Sequence, residues 1–166
     1  AYELGINFYD VTHDSEKEAL GRNLQELPPP FPVYIQTRPE GFCYTYDKNN
    51  KKMADYATLK AEAERILKLL QRDTIDFFNL AFMKSALEND DEYLHKISYN
   101  VSQLKKEGLI RYACADTFSG ESTYLKQIAT GSFDVVYINF NFADHQATKK
   151  VLKEAAKANM GVVARE

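Results

Sequence analysis

Short apolar segments alternate with helix-patterned segments from one end of the chain to the other, and this alternation is what most constrains the fold. The strand-like segments are residues 5–9, Val33–Thr37, Ile75–Leu80, Leu109–Ala115, Asp134–Phe140 and Met160–Ala164. They are apolar on both faces, the pattern of strands covered on both sides. Between them the spacing turns helical. Ser15 and Glu18 are placed as a capping-box pair for a helix to about Leu27, which Pro28-Pro29-Pro30 and Pro32 stop. Asp55 can cap a helix whose apolar set is Leu59, Ala63, Ile66, Leu67 and Leu70. A helix over 91–107 closes with Lys105, Lys106 and Gly108, cations in the last turn followed by a left-handed stop. Two more are predicted over 121–130 and from Asp144 to Ala158. A long loop, Arg38 to about Lys52, follows the second strand; loops of that length usually carry function or move.

Strands separated by helices mean a parallel sheet covered by helices. Two architectures satisfy the pattern: an open doubly wound sheet, or most of a TIM-type (βα)8 barrel, incomplete in this chain at about six βα units. Periodicity does not choose between them. The glycine-rich turn of a dinucleotide-binding doubly wound sheet is absent after every strand, which weakens that option. In a barrel the chemistry sits at the carboxyl ends of the strands, and Asp10 is placed at the first of them. At 166 residues the chain reads as one domain, 1–166, long enough to bury a proper core.

A net charge of −3 argues against a nucleic-acid or anionic-membrane partner, since both require a basic face. No apolar run approaches the ~20 residues needed to span a bilayer. No secretory signal is visible, and a chain that starts at Ala1, almost inside an element, is expected to be processed or truncated. Cys43 and Cys114 read as free thiols of a reducing compartment, which points to the cytoplasm. His13, His95 and His145 are too scattered for a metal site.

Gly5-Ile6-Asn7-Phe8-Tyr9-Asp10, followed by Ser15-Glu16 and Leu20-Gly21, resembles the second βα unit of the aldo-keto reductases. The likeness continues in order through Val33 to Thr37, Asp73-Thr74-Ile75-Asp76-Phe77-Phe78, Leu104-Lys105-Lys106-Glu107-Gly108-Leu109-Ile110-Arg111, Phe133 to Asn141, and Gly161-Val162-Val163-Ala164. The resemblance implies a (βα)8 barrel of which this chain supplies strands two to seven. It also implies carbonyl reduction with NADP or NAD as cofactor. In that family a tyrosine gives the proton as hydride arrives, a lysine lowers its pKa, an aspartate pairs with the lysine, and a histidine orients the substrate. A phenol of pKa ~10 needs such a nearby cation to act at neutral pH.

Position by position, the aspartate is Asp10 and the lysine is replaced by Arg38, which keeps the charge but cannot titrate. The turn Val11-Thr12-His13-Asp14 is shortened and has no tyrosine, leaving His13 as the nearest titratable group. The family histidine falls on Ala81. The Ser-Asn pair that holds the nicotinamide amide reads Asp116-Thr117, and the strand-six glutamine falls on Tyr137. Asp10, Arg38 and His13 are therefore the expected catalytic positions, and Asp116, Thr117 and Tyr137 the cofactor-binding ones. Asp10 and Arg38 are expected to form an ion pair at the barrel mouth. Tyr44 and Tyr46 could fold over that mouth or pack within their own loop. Asp76, inside a strand, reads as structural, bonded to backbone or to a nearby cation.

The function these residues imply is an NAD(P)H-dependent oxidoreductase acting on small aldehydes or other carbonyls, catalytically impaired by its missing tyrosine and histidine. The alternative is a non-catalytic relative, a pseudoenzyme that binds a ligand or a protein. A different barrel chemistry built on Asp10, Arg38 and Asp116 is the third reading. Because six strands cannot close an eight-stranded ring, two open sheet edges are expected, and with them possible self-association.

Overall fold

Each strand pairs in parallel with the next in the chain, giving one six-stranded sheet in the order β1-β2-β3-β4-β5-β6. The strands are β1 (Phe8–Val11), β2 (Tyr34–Thr37), β3 (Ile75–Ala81), β4 (Ile110–Asp116), β5 (Val135–Asn139) and β6 (Gly161–Arg165). The helices between them are α1 (Asp14–Glu26), α2 (Tyr56–Leu70), α3 (Asp91–Lys106), α4 (Glu121–Ala129) and α5 (Val151–Lys157). The computed structural model describes residues 2–43, 52–81, 85–86, 90–116, 120–143 and 150–165. A doubly wound sheet reverses its strand order at a switch point. This sheet never reverses, so it is the arc of an incomplete TIM-type barrel.

The boundaries differ from the sequence reading mainly at the start. Gly5 has φ of +70° and closes a 3-10 turn through its N–H to Tyr2 O (2.9 Å), so β1 begins at Phe8 instead of residue 5. Asp10 consequently sits inside β1, one residue before its end. Helix α1 is capped two residues earlier than Ser15 and Glu18 suggested. Glu16 Oε2 accepts from the backbone N–H groups of Thr12 (2.7 Å) and His13 (2.9 Å). Asp55 does cap α2, accepting from Thr58 N at 2.8 Å, and Asp90 does the same for α3 through Tyr93 N. Gly108, at φ +75°, ends α3 with Leu109 N–H bonded back to Leu104 O. Of the helix expected from Asp144 to Ala158, residues 144–149 lie outside the described residues.

Two layers of core hold the arc. On the outer face of the sheet, Ile35, Phe78, Leu80 and Ala113 pack under Leu59, Ile66 and Leu70 of α2 and Ile97, Val101 and Leu104 of α3. Val136 and Ile138 pack under Tyr124 and Ile128 of α4 and Val151 and Ala155 of α5. Each fully buried leucine or isoleucine contributes about 1.5–3 kcal/mol relative to exposure. The inner face is aromatic at the amino ends of the strands. There the Phe77 ring lies 5.2 Å from both Phe8 and Tyr112 and 6.5 Å from Tyr34, centroid to centroid.

Two carboxylates fix neighbouring strands at their amino ends. Asp76 is buried; its Oδ2 accepts from Ile35 N (3.0 Å) and Arg72 Nη2 (3.3 Å), and its Oδ1 faces Arg111 Nη1 (3.4 Å). Asp134 Oδ2 accepts from Ala113 N (2.7 Å) and pairs with Lys105 (2.5 Å). Asp76 thus has the backbone and cation partners its place inside a strand implied. Among the described residues, no helix is long and apolar enough to cross a membrane.

Candidate active site

Side chains at registered positions of a parallel sheet share a face. Toward the carboxyl ends of the strands the inner face therefore turns from aromatic to polar. Asp10 on β1 is registered with Gln36 on β2, Asn79 on β3 with Cys114 on β4, Asp116 with Tyr137 on β5, and Asn139 with Arg165 on β6. Every strand contributes to this belt.

Its two carboxylates are joined by amides. In the orientation that satisfies both ends of its side chain, Gln36 donates to the Asp10 carboxylate and accepts from Asn79 Nδ2 at 3.2 Å. Asn79 Nδ2 also lies 3.4 Å from Asp116 Oδ2. Asp10 is partly exposed at the sheet edge, yet the strands desolvate one side of its carboxyl. That burial raises its pKa, and Arg38 opposes the rise.

Asp116 is wholly buried and lies between two guanidiniums that are themselves largely buried. Arg38 Nη1 is 3.8 Å from Oδ2, and Arg165 Nη1 contacts Oδ1. Arg165 is aimed by Asn139, whose Oδ1 accepts from its Nε at 2.9 Å. Among the described residues, Arg38 thus pairs with Asp116 where a pair with Asp10 was expected, and it acts on Asp10 through its field. The physical reason is demand: a fully buried carboxylate needs a cation more than one at an open edge does.

Tyr137 closes the belt. Its ring packs with Cys114, Val135, Val163 and Phe77, it is 5% exposed, and its hydroxyl has no hydrogen-bond partner among the described residues. Burial, and then neighbouring Cys114, Asp10 and Asp116, push the phenol above its ordinary range, with Arg38 opposing. Asn79 Oδ1 is a further buried polar atom without a partner among the described residues. At the rim, the Cys43 thiol accepts from Ala81 N (3.4 Å) and is pushed up to about 11 by burial. Cys43 and Cys114 are both free thiols.

The shortened turn after β1 is locked from both sides. Glu16 caps it from above, while the fully buried Lys17 ammonium donates to Thr12 O (2.7 Å) and Asp14 Oδ1 (3.2 Å). His13 is exposed and faces Glu40, Nδ1 to Oε1 at 3.1 Å; that hydrogen bond raises its pKa. Thr117, Tyr44, Tyr46 and His145 lie outside the described residues. Sequence reasoning missed Gln36, Asn79, Asn139 and Arg165. Their signal was a polar side chain near the carboxyl end of an otherwise apolar strand, in phase with Asp10 or Asp116 on the same face.

The pattern that defines the aldo/keto reductase family matches residues 1–166. The chain belongs to the aldo/keto reductase family. Its fold is shared with an aldo-keto reductase from Bacillus halodurans in the holo form, at 18% identity and a TM-score of 0.74, over 98% of this chain and 51% of that one. A glycerol dehydrogenase from Gluconobacter oxydans matches at 21% identity and a TM-score of 0.71, over 98% and 49%. An aldo/keto reductase from Klebsiella pneumoniae, solved in complex with NADP and acetate, matches at 14% and 0.69, over 98% and 53%. The chain therefore spans about half the length of these structures. No curated protein matches it. As to a nicotinamide group, the orphaned Asn79 Oδ1 is the kind of buried acceptor that a carboxamide N–H complements, so the belt fits that end of the cofactor.

Proposed function

We propose that the full-length protein is an oxidoreductase that uses NADPH or NADH to reduce small carbonyl compounds, at a rate lowered by its altered catalytic set. The observation that carries this reading is the belt itself: in the fold of a reductase family, charged and amide side chains converge at the carboxyl ends of the strands, where barrels place their chemistry. When bound, the cofactor supplies a hydride. Asn79 Oδ1 would accept from its carboxamide, with Asp116 and the Tyr137 ring on that side of the pocket; Thr117 is assigned there by sequence position alone. Asp10 and Arg38 supply the charges that the family's aspartate and lysine supply. His13, made easier to protonate by Glu40, is the titratable group of the turn where the family tyrosine is missing. The loss of a positioned acid costs about 10²–10⁴-fold in rate, which sets the scale of the impairment. The two free thiols suit a cytoplasmic setting, and the net negative charge suits neither nucleic acid nor an anionic membrane as partner.

A second reading has a specific observation behind it. The position of the family histidine is Ala81, fully buried, and the turn after β1 is closed by Lys17 with no tyrosine in it. On that reading the protein binds a ligand or a partner, including a second copy along the β1 or β6 edge, without turnover. One experiment separates the two. NADPH is titrated into the full-length protein by nicotinamide fluorescence, and its oxidation is then followed with a panel of aldehydes. Saturable binding with slow, aldehyde-dependent oxidation supports the reductase. Binding without oxidation supports the second reading. Absence of binding overturns the reductase.

A further inference from the structure

Within the polar belt, most side chains already have acceptors or donors. The Gln36 amide donates to Asp10, Asn79 Nδ2 is shared between Gln36 and Asp116, and the guanidiniums of Arg38 and Arg165 both face Asp116. The carboxylates accept only. Among the described residues, one hydroxyl of the belt is left over. The hydroxyl of Tyr137 is buried on the inner face, beside Asp116 in the strand register, and no described residue accepts its proton. A buried hydroxyl without a partner costs about 1–3 kcal/mol, a cost a ligand acceptor at that point would remove.

We propose that Tyr137 is the catalytic proton donor of this site: its O–H holds the oxygen of a bound carbonyl compound and protonates it during reduction. This rests on the reductase reading above and relocates the donor from the turn after β1 to strand β5. As the carbonyl carbon takes a hydride from reduced nicotinamide dinucleotide, which is oxidised, the Tyr137 O–H bond breaks and its proton goes to the carbonyl oxygen. An alcohol results. The phenolate left behind is disfavoured by burial and by Cys114, Asp10 and Asp116, opposed only by Arg38, so it recovers its proton from solvent. Burial keeps the phenol protonated at neutral pH, so the donor is loaded before substrate arrives. Its acidity is low, but a developing alkoxide is a strong enough base to take the proton. His13 cannot easily share this role, since its ring faces Glu40 at an exposed rim.

The test compares the full-length protein with Tyr137→Phe, which keeps the ring and removes the hydroxyl. The first readout needs no cofactor. Benzaldehyde labelled with carbon-13 at the carbonyl is added, and its C=O stretch is followed by isotope-edited infrared spectroscopy. The stretch is expected at lower frequency in the unaltered protein than in Tyr137→Phe; the same frequency in both overturns the proposal. The second readout is NADPH oxidation with 4-nitrobenzaldehyde at saturating NADPH, expected to fall about 10²–10⁴-fold in Tyr137→Phe. An unaltered rate overturns the proposal. If the unaltered protein oxidises no NADPH, the reductase reading fails, while the infrared comparison still decides whether Tyr137 holds the carbonyl. The third readout is urea stability without ligand. Removing an orphaned hydroxyl leaves the midpoint unchanged or higher; a clear loss of stability shows a structural role and counts against the proposal.

Discussion

Arg38 Nη1 stands 3.8 Å from Asp116 Oδ2 although β2 and β4 are not neighbours. Strand β3 lies between them, and Asn79 on that strand reaches the same carboxylate oxygen. With Arg165 arriving from the far side, one buried carboxylate ties together strands β2, β3, β4 and β6. Its removal is therefore a test of structure as much as of function. Asp116→Ala removes the carboxylate that two largely buried guanidiniums face, and breaking a buried pair in this way costs about 3–5 kcal/mol. Asp116→Asn retains acceptor capacity and is expected to cost less. Urea unfolding of the full-length protein, followed by circular dichroism, measures both; equal, small losses would show that the cluster is not coupled.

Helices α1 and α2 approach closely at Gly21. A Cβ built there would meet Leu69 O at 2.5 Å and the carbonyl carbon and oxygen of Leu70 at 2.8 Å. These are backbone atoms and cannot rotate away. Elsewhere in a helix, glycine to alanine gains about 0.5–1 kcal/mol. Here overpacking, about 1–3 kcal/mol or more, outweighs that gain. Gly21→Ala is expected to lower the urea midpoint, and a raised midpoint would show that the helices can separate at little cost.

The architecture was legible because its signals are local. Strand segments apolar on both faces, Asp55 before Thr58, and Gly108 after Lys105 and Lys106 each dictate their own piece of structure. The start of the chain misled because two effects cancel the obvious pattern. Gly5 adopts a left-handed conformation that ends a turn, and Glu16 supplies the cap through its side chain where Ser15 and Glu18 had suggested one.

The site was legible only residue by residue. Asp10, Arg38, Asp116 and Tyr137 do converge on one inner face, but which cation serves which carboxylate depends on relative burial, and burial depends on neighbours far away in sequence. Gln36, Asn79 and Asn139 look like ordinary strand residues until the register places them between charges. Arg165 is more than 120 residues from Arg38, so no spacing rule could have joined them.

Asp76 makes a further prediction about the amino end of the barrel arc. Its carboxylate accepts from a buried backbone N–H of the neighbouring strand and faces two guanidiniums. Asp76→Ala leaves Ile35 N–H unsatisfied, about 1–3 kcal/mol on that account alone. Asp76→Asn keeps an acceptor for Ile35 and loses mainly the charge, screened because Arg111 is half exposed. The expected order of urea midpoints is unaltered protein, then Asn, then Ala. If Asn and Ala are equally destabilised, the ion pairs dominate over the backbone hydrogen bond.

Acid stability has an identifiable source in Asp14. Two hydrogen bonds from Arg65, at 2.5 and 3.1 Å, together with Lys17, hold its pKa down to about 2. An unfolded aspartate titrates near ~3.9. The folded value is the lower one, so the carboxylate's contribution is fully present above pH ~4 and is lost as pH falls through ~4 toward 2. A shift of that size is about 2.5 kcal/mol without screening. Asp14 and Arg65 are each about 40% exposed, so about 1 kcal/mol is the realistic contribution. Arg65→Gln removes the largest cause, together with the Arg65–Glu62 pair, while leaving Asp14 to neutralise buried Lys17. The variant is expected to be less stable by about 1 kcal/mol at pH 7 and nearly level with the unaltered protein by pH 2.5. Urea midpoints at pH 7, 5, 4, 3 and 2.5 give the two curves. Curves that stay parallel across this window would mean that Arg65 stabilises the α1–α2 pairing by packing and not by holding the Asp14 charge.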